Sequence, residues 1–252
     1  MTVDLPAVWR PLAEPALIPY RPVDAADLRS LLVLAPHPDD EVFACGGLLA
    51  LAAAQGLRTD VVIVSDGAQA GDAATRADES RRAATELRYA EGPGRLELWG
   101  LPDRAVVPDA ALVGRIVAAL DAGANDWLLA PSPFEVHPDH RAVCLAAVQA
   151  WQQRPACALG FFEIGQPLLA NRLIDISAVL GKKQRAMRCF ASQLAMQAYD
   201  EQVSALNRYR AYTLGPLVTH AEAYWFPERD GLQAGLPGLW SEIEQQLRRR
   251  LE

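Results

Sequence analysis

The sequence predicts an α/β fold, with a mostly parallel sheet covered by helices on both faces. Three observations carry this. A short continuous apolar run, Leu31–Ala35 (LLVLA), fits a strand buried on both sides, and the β-branched Arg58–Ser65 (RTDVVIVS) fits a second strand. Between such runs lie segments of helical composition, each roughly 10–15 residues long, and this alternation makes βαβ units. The alternation repeats along the first half of the chain without a linker, which calls for right-handed crossovers.

The elements follow in order. Arg10–Asp24 is rich in proline, so residues 1–29 are expected to be irregular. Leu31–Ala35 is the first strand. Glu41–Gln55 is a helix of small and apolar residues that stops at Gly56, a common helix exit. Arg58–Ser65 is β-branched and bounded by Asp66-Gly67. Arg76–Tyr89 is helical, with Ala83, Leu87 and Ala90 on one face. Arg95–Trp99 is a third strand, and Asp109–Asp121 an amphipathic helix that Pro108 would open. Asp126–Ala130 is a fourth strand, followed by a proline-rich loop and a helix over Arg141–Gln152. Leu159–Ile164 and Arg172–Ile176 read as strands, and Ala178–Ser192, Gln202–Tyr212 and Trp240–Leu251 as helices. The pattern is Rossmann-like. Residues 1–252 are expected to form a single domain whose C-terminal third completes and lids the site.

Composition excludes several classes. The net charge is −7, from 24 basic and 31 acidic residues, which disfavours a general nucleic-acid binder. With 51% hydrophobic residues the chain is not predominantly disordered. The longest apolar runs, Ser30–Pro36 and Val61–Val64, are far shorter than the roughly 20 residues of a membrane-spanning helix. Met1–Pro6 shows no secretory leader. Cys45, Cys144, Cys157 and Cys189 form no CxxC pair and read as free thiols of a cytoplasmic protein.

Two clusters carry the chemistry. His37-Pro38-Asp39-Asp40-Glu41 follows the first strand, and His137-Pro138-Asp139-His140 follows the fourth. In a sheet of order 3-2-1-4-5 these loops are neighbours, and both open into one crevice at the C-terminal strand ends. Imidazole and carboxylate are good zinc donors, and a catalytic zinc keeps three protein ligands and an open position. His37 and Asp40 stand three apart and can point one way; His140 is the natural third ligand. Asp39 cannot share their direction and suits a general base. His137 suits an oxyanion stabiliser or a proton donor to the leaving amine, with Asp139 orienting its ring. The bland alternative is helix capping by the Asp-Asp-Glu run, and Glu41 is read that way. His220 is read as structural or lining, and Tyr224, Trp225 and Phe226 as core. No GxGxxG follows a strand and no GxSxG elbow occurs, which disfavours a nucleotide binder and a serine hydrolase.

The paired motifs APHPDDE and HPDH resemble those of the PIG-L/LmbE-like zinc N-deacetylases, which act on N-acetylglucosamine moieties. The resemblance runs from Leu31 to Phe226. Ser65-Asp66-Gly67, Arg76-x-x-Glu79, Leu101-Pro102-Asp103, Asp175-Ile176-Ser177, Lys182-Lys183, Ser192-Gln193 and Ala221-Glu222-Ala223 look like further family elements. The resemblance implies an LmbE-like fold and Zn²⁺ on His37, Asp40 and His140; Fe²⁺ or Co²⁺ suits the same donors. It implies Asp39 as base and His137 as its electrophilic or acid partner, backed by Asp139. It also implies that Arg76 and Asp103 contact substrate; from the residues alone, Arg76 could as well be a solvated helix face and Asp103 a turn. Ala68, Arg88 and Glu135 depart from the family pattern, Glu135 standing where some members place a tyrosine that assists the oxyanion. The implied activity is removal of an N-acetyl group from an amino sugar or glycoconjugate. Amide hydrolysis of a thiol conjugate or secondary metabolite, or a non-catalytic α/β binding protein, are the alternatives. The implied partner is a small amino-sugar substrate, with neither nucleic acid nor an integral membrane segment; a homo-oligomer stays open.

Overall fold

The computed structural model describes residues 14–249. The leader-free reading of Met1–Pro6, the start of the irregular segment and the end of the last helix lie outside the described residues. Within them, β1 (Leu31–Ala35), β2 (Thr59–Ser65), β3 (Arg95–Leu101), β4 (Trp127–Pro131), β5 (Ala158–Phe162), β6 (Arg172–Asp175) and β7 (Ala221–Trp225) form one sheet. The order is β3-β2-β1-β4-β5-β7-β6. The first five strands are parallel, in the order the alternation predicts; β7 runs antiparallel to both β5 and β6.

Every residue of β1, β2 and β4 is buried, because helices cover both faces. Successive side chains alternate between two apolar layers. Leu31, Val33 and Ala35 pack into the layer under α1 (Asp40–Ala54), α2 (Ala73–Leu87) and α5 (Leu180–Met187). Leu32 and Leu34 pack into the layer under α3 (Ala110–Gly123), α4 (Pro138–Gln153) and α9 (Gly235–Arg249). β1 pairs with β2 on one side and β4 on the other, so α1 and α4 leave adjacent strands for opposite faces. The two sequence clusters therefore meet at the switch point of the sheet.

Capping moves several helix starts upstream. The Asp72 carboxylate accepts from Thr75 N and Oγ1, which starts α2 at Ala73 rather than Arg76. Asp109 accepts from Leu112 N and caps α3, so Pro108 lies before the cap instead of opening the helix. His137 is itself the N-cap of α4, with Pro138 in the first turn. The stretch expected as a helix over Ala178–Ser192 divides into a 3₁₀ turn, α5 and the short α6 (Ala191–Leu194). It is followed by α7 (Tyr199–Arg210). Two elements are absent from the sequence reading: β7, and α8 (Arg229–Gln233). All four cysteines are free. Among the described residues no helix is long and apolar enough to cross a membrane.

Candidate active site

The loop between β1 and α1 has an unusual backbone. Asp39, the N-cap of α1, has φ 117° and ψ −34°, a conformation disfavoured for a residue with a Cβ. Its N–H donates to Glu41 Oε2 at 2.9 Å, and its carbonyl accepts from Val42 N and Phe43 N. The twist turns Asp39 away from its neighbour Asp40. The carboxylate of Asp40 lies instead against two imidazoles.

Three donor atoms converge there. His37 Nδ1 lies 3.2 Å from His140 Nε2, and each is 3.3 Å from Asp40 Oδ2. Both outward nitrogens face carboxylates, and that of His37 is hydrogen-bonded to Asp139. His37 Nε2 faces Asp139 Oδ2 at 3.1 Å and Asp103 Oδ1 at 3.2 Å, and His140 Nδ1 faces Glu135 Oε2 at 3.3 Å. An imidazole that gives its N–H to a carboxylate on one side presents a lone pair on the other. The two inward nitrogens face each other beside a carboxylate oxygen, which calls for positive charge there, carried by protons or by a bound cation. The separations match the edges of a tetrahedron with bonds of about 2.0–2.1 Å, about 3.3 Å. The donor set thus fits a divalent cation of the zinc type. His137 adds a third ring, centred 4.6 Å from that of His37 and 5.2 Å from that of His140. The groups His37, His137, His140 and His37, Asp103, Asp139 are also close enough to share an ion; the carboxylates of the second accept backbone N–H groups, as Asp40 Oδ2 does from His37 N.

The electrostatics follow from this crowding. Burial works against charging His37, but Asp139 and Asp40 outweigh it and raise its pKa to about 9. Burial likewise opposes charge on His140, while Asp40 and Glu135 bring it to about 10. Burial would raise Asp40, yet the two imidazoles hold it below the usual carboxylate range. Burial and Asp40 push Asp39 up to about 7, against the pull of Arg76. Burial, His37 and His140 all lower His137. Its Nδ1 accepts from Asp139 N at 3.3 Å, so the neutral ring carries its proton on Nε2.

The structure brings His37, Asp39, Asp40, His137, Asp139 and His140 together, but three assignments change. Asp139 does not back His137. It accepts from Arg104 N and Val106 N and faces His37 Nε2 instead. Asp103, expected at substrate, is buried and engaged by Gln69 N and His37. Arg76, read as a substrate contact or a solvated face, is only 3% exposed and bonds to Gly67 O, Pro38 O and Asp39 Oδ2. Sequence reasoning missed Glu135 as the partner of His140. It also accepts from Ile164 N and Gly165 N, and its place two residues before His137 was the available signal. His220 lies outside the cluster, against Thr219.

Comparison with known proteins finds relatives of the chain. Residues 32–151 match the family described as PIG-L: GlcNAc-PI de-N-acetylase. The chain is 25% identical over 199 residues to the diacetylchitobiose deacetylase of Thermococcus kodakarensis, covering 69% of this chain and 73% of that one. It is 29% identical over 258 aligned residues to the 2'-N-acetylparomamine deacetylase of Streptomyces fradiae, covering 81% and 91%. The crystal structure of a conserved protein from Thermus thermophilus superposes with a TM-score of 0.69 at 29% identity, covering 80% of this chain and 95% of that one.

Proposed function

Because the chain belongs to the PIG-L/LmbE-like N-deacetylase family, we propose that it removes the N-acetyl group of an N-acetylglucosamine-type amino sugar or its glycoconjugate, using a divalent cation, zinc in the first instance. His37, Asp40 and His140 hold the ion. The observation that carries this reading is the convergence of His37 Nδ1, His140 Nε2 and Asp40 Oδ2 at 3.2–3.3 Å. When bound, such an ion polarises the acetyl carbonyl and lowers the pKa of a water to about 7.

The chain's residues do the rest. Asp39 takes the proton of the attacking water. His137, whose Nδ1 accepts from Asp139 N, offers its Nε2–H to the oxygen that becomes negative as the carbonyl is attacked. The proton held by Asp39 then goes to the departing amine. Asp139 and Asp103 fix the ring of His37, and Glu135 that of His140. The C-terminal third belongs to the same single domain and closes over the β2–α2 loop, where Gln193 Nε2 donates to Ala70 O. The free thiols suit a reducing compartment, the cytoplasm.

The test is acetate and free-amine release from N-acetylglucosamine conjugates, diacetylchitobiose and 2'-N-acetylparomamine, with metal-loaded protein. Stoichiometric release from at least one of them is expected. Release only from N-acyl thiol conjugates or other secondary-metabolite amides would replace the sugar assignment, and none at all would remove the enzymatic one.

A further inference from the structure

We infer that Arg76 is the positioning residue of the base, acting through Asp39 rather than on the substrate. The inference rests on the reading above, in which Asp39 takes the proton. Its first support is where the guanidinium goes. Nη2 donates to Pro38 O at 2.5 Å and to Asp39 Oδ2 at 3.0 Å, and Nη1 donates to Gly67 O at 3.0 Å. The side chain is buried, 3% exposed.

The second support is the backbone of Asp39. A non-glycine residue at φ 117° is held there by its surroundings, at a cost of order 1–3 kcal/mol. Arg76 binds the carbonyl on the N-terminal side of that residue and its carboxylate as well. Glu41 binds its N–H. The conformation and the side-chain direction are thus fixed by one planar fork and one carboxylate. A lysine cannot reproduce that fork.

The third support is Gly67. It has φ +64°, and a Cβ there would lie 2.5 Å from Arg76 Nη1. The turn after β2 is built to admit the guanidinium. One helical turn further along α2, Glu79 accepts from Ser192 N at 2.8 Å and Ser192 Oγ at 2.7 Å. The Arg-x-x-Glu pair, on one face of α2, therefore ties both the base loop and the C-terminal tail to this helix.

The experiment compares Arg76→Met, Arg76→Lys and Gly67→Ala with wild type in metal-loaded form. The inference predicts kcat lower by about 10²-fold or more, with KM within about twofold, for Arg76→Met and Gly67→Ala. Metal content stays at the wild-type level, added guanidinium restores part of the rate of Arg76→Met, and Arg76→Lys does not recover wild-type kcat. A crystal structure of metal-free Arg76→Met shows Asp39 out of the positive-φ region. A raised KM with kcat held, or an Asp39 backbone unmoved in that crystal, overturns the inference. If Arg76→Met does not fold, Gly67→Ala carries the same two readouts. A wild type that releases no acetate would defeat the functional reading alone, since the backbone readout does not need turnover.

Discussion

Two groups of buried charges lie along α1, and they are completed in opposite ways. At its middle, Lys183 Nζ makes three bonds, to Phe43 O, Asn207 Oδ1 and Glu222 Oε1. Glu222 in turn accepts from Gly47 N, Leu48 N and Tyr224 OH. An ammonium has three donors and a carboxylate about four acceptor positions, so this pair is closed within the protein. At the first turn of α1 the charges are left open. Two imidazole nitrogens face each other, and Glu41 Oε1 has no hydrogen-bond partner among the described residues. The difference separates two purposes of buried charge. A closed set fixes packing, here the C-terminal tail against α1; an open set is arranged around something the protein does not supply.

The largest expected effect is at the open set. Asp39→Asn should lower kcat by at least about 10²–10⁴-fold while the protein keeps its metal. Steady-state kinetics alongside metal analysis checks this, and loss of both together would make Asp39 a ligand instead. The closed set should respond in stability. Lys183→Met leaves Glu222 buried without its counter-charge and should cost about 3–5 kcal/mol, whereas pairing it with Glu222→Gln should recover part of that loss. Denaturant melts of both single variants and the double variant measure it, and additive costs would show that the pair is not coupled.

Asp139→Asn should weaken metal binding about 10–100-fold, because it supports the His37 ring. Calorimetric titration tests this; unchanged affinity with a fall in kcat would return Asp139 to His137. The smallest effect concerns Glu41, which burial and Asp39 raise from 4.5 to about 8. Its folded-state value lies above the unfolded one, so its contribution to stability is complete below 4.5 and disappears as pH rises through about 8. Between ~pH 6 and ~pH 9, metal-free wild type should therefore lose more Tm than Glu41→Gln.

Much of this was legible in the chain. Continuous apolar runs marked β1, β2 and β4, and strand order then placed both histidine clusters at one edge. What was not legible depended on partners far away in sequence. β7 reads poorly as a strand because Glu222 is its second residue, and only partners distant in sequence, Gly47 N, Leu48 N and Lys183 Nζ, together with Tyr224 OH make that carboxylate admissible. Asp139 looks like the companion of His137, two residues away. As part of the first turn of α4 it turns instead toward His37, 102 positions away in sequence. Arg76 carries no sign in the sequence that it is buried.

The central claim is that the open set holds a divalent cation. Metal analysis of wild type, His140→Ala and Lys183→Met, each dialysed after loading with zinc, tests it most directly. The account predicts a single equivalent in wild type, the same in whatever Lys183→Met remains folded, and almost none in His140→Ala. Equal metal in wild type and His140→Ala, or none in wild type, would contradict it.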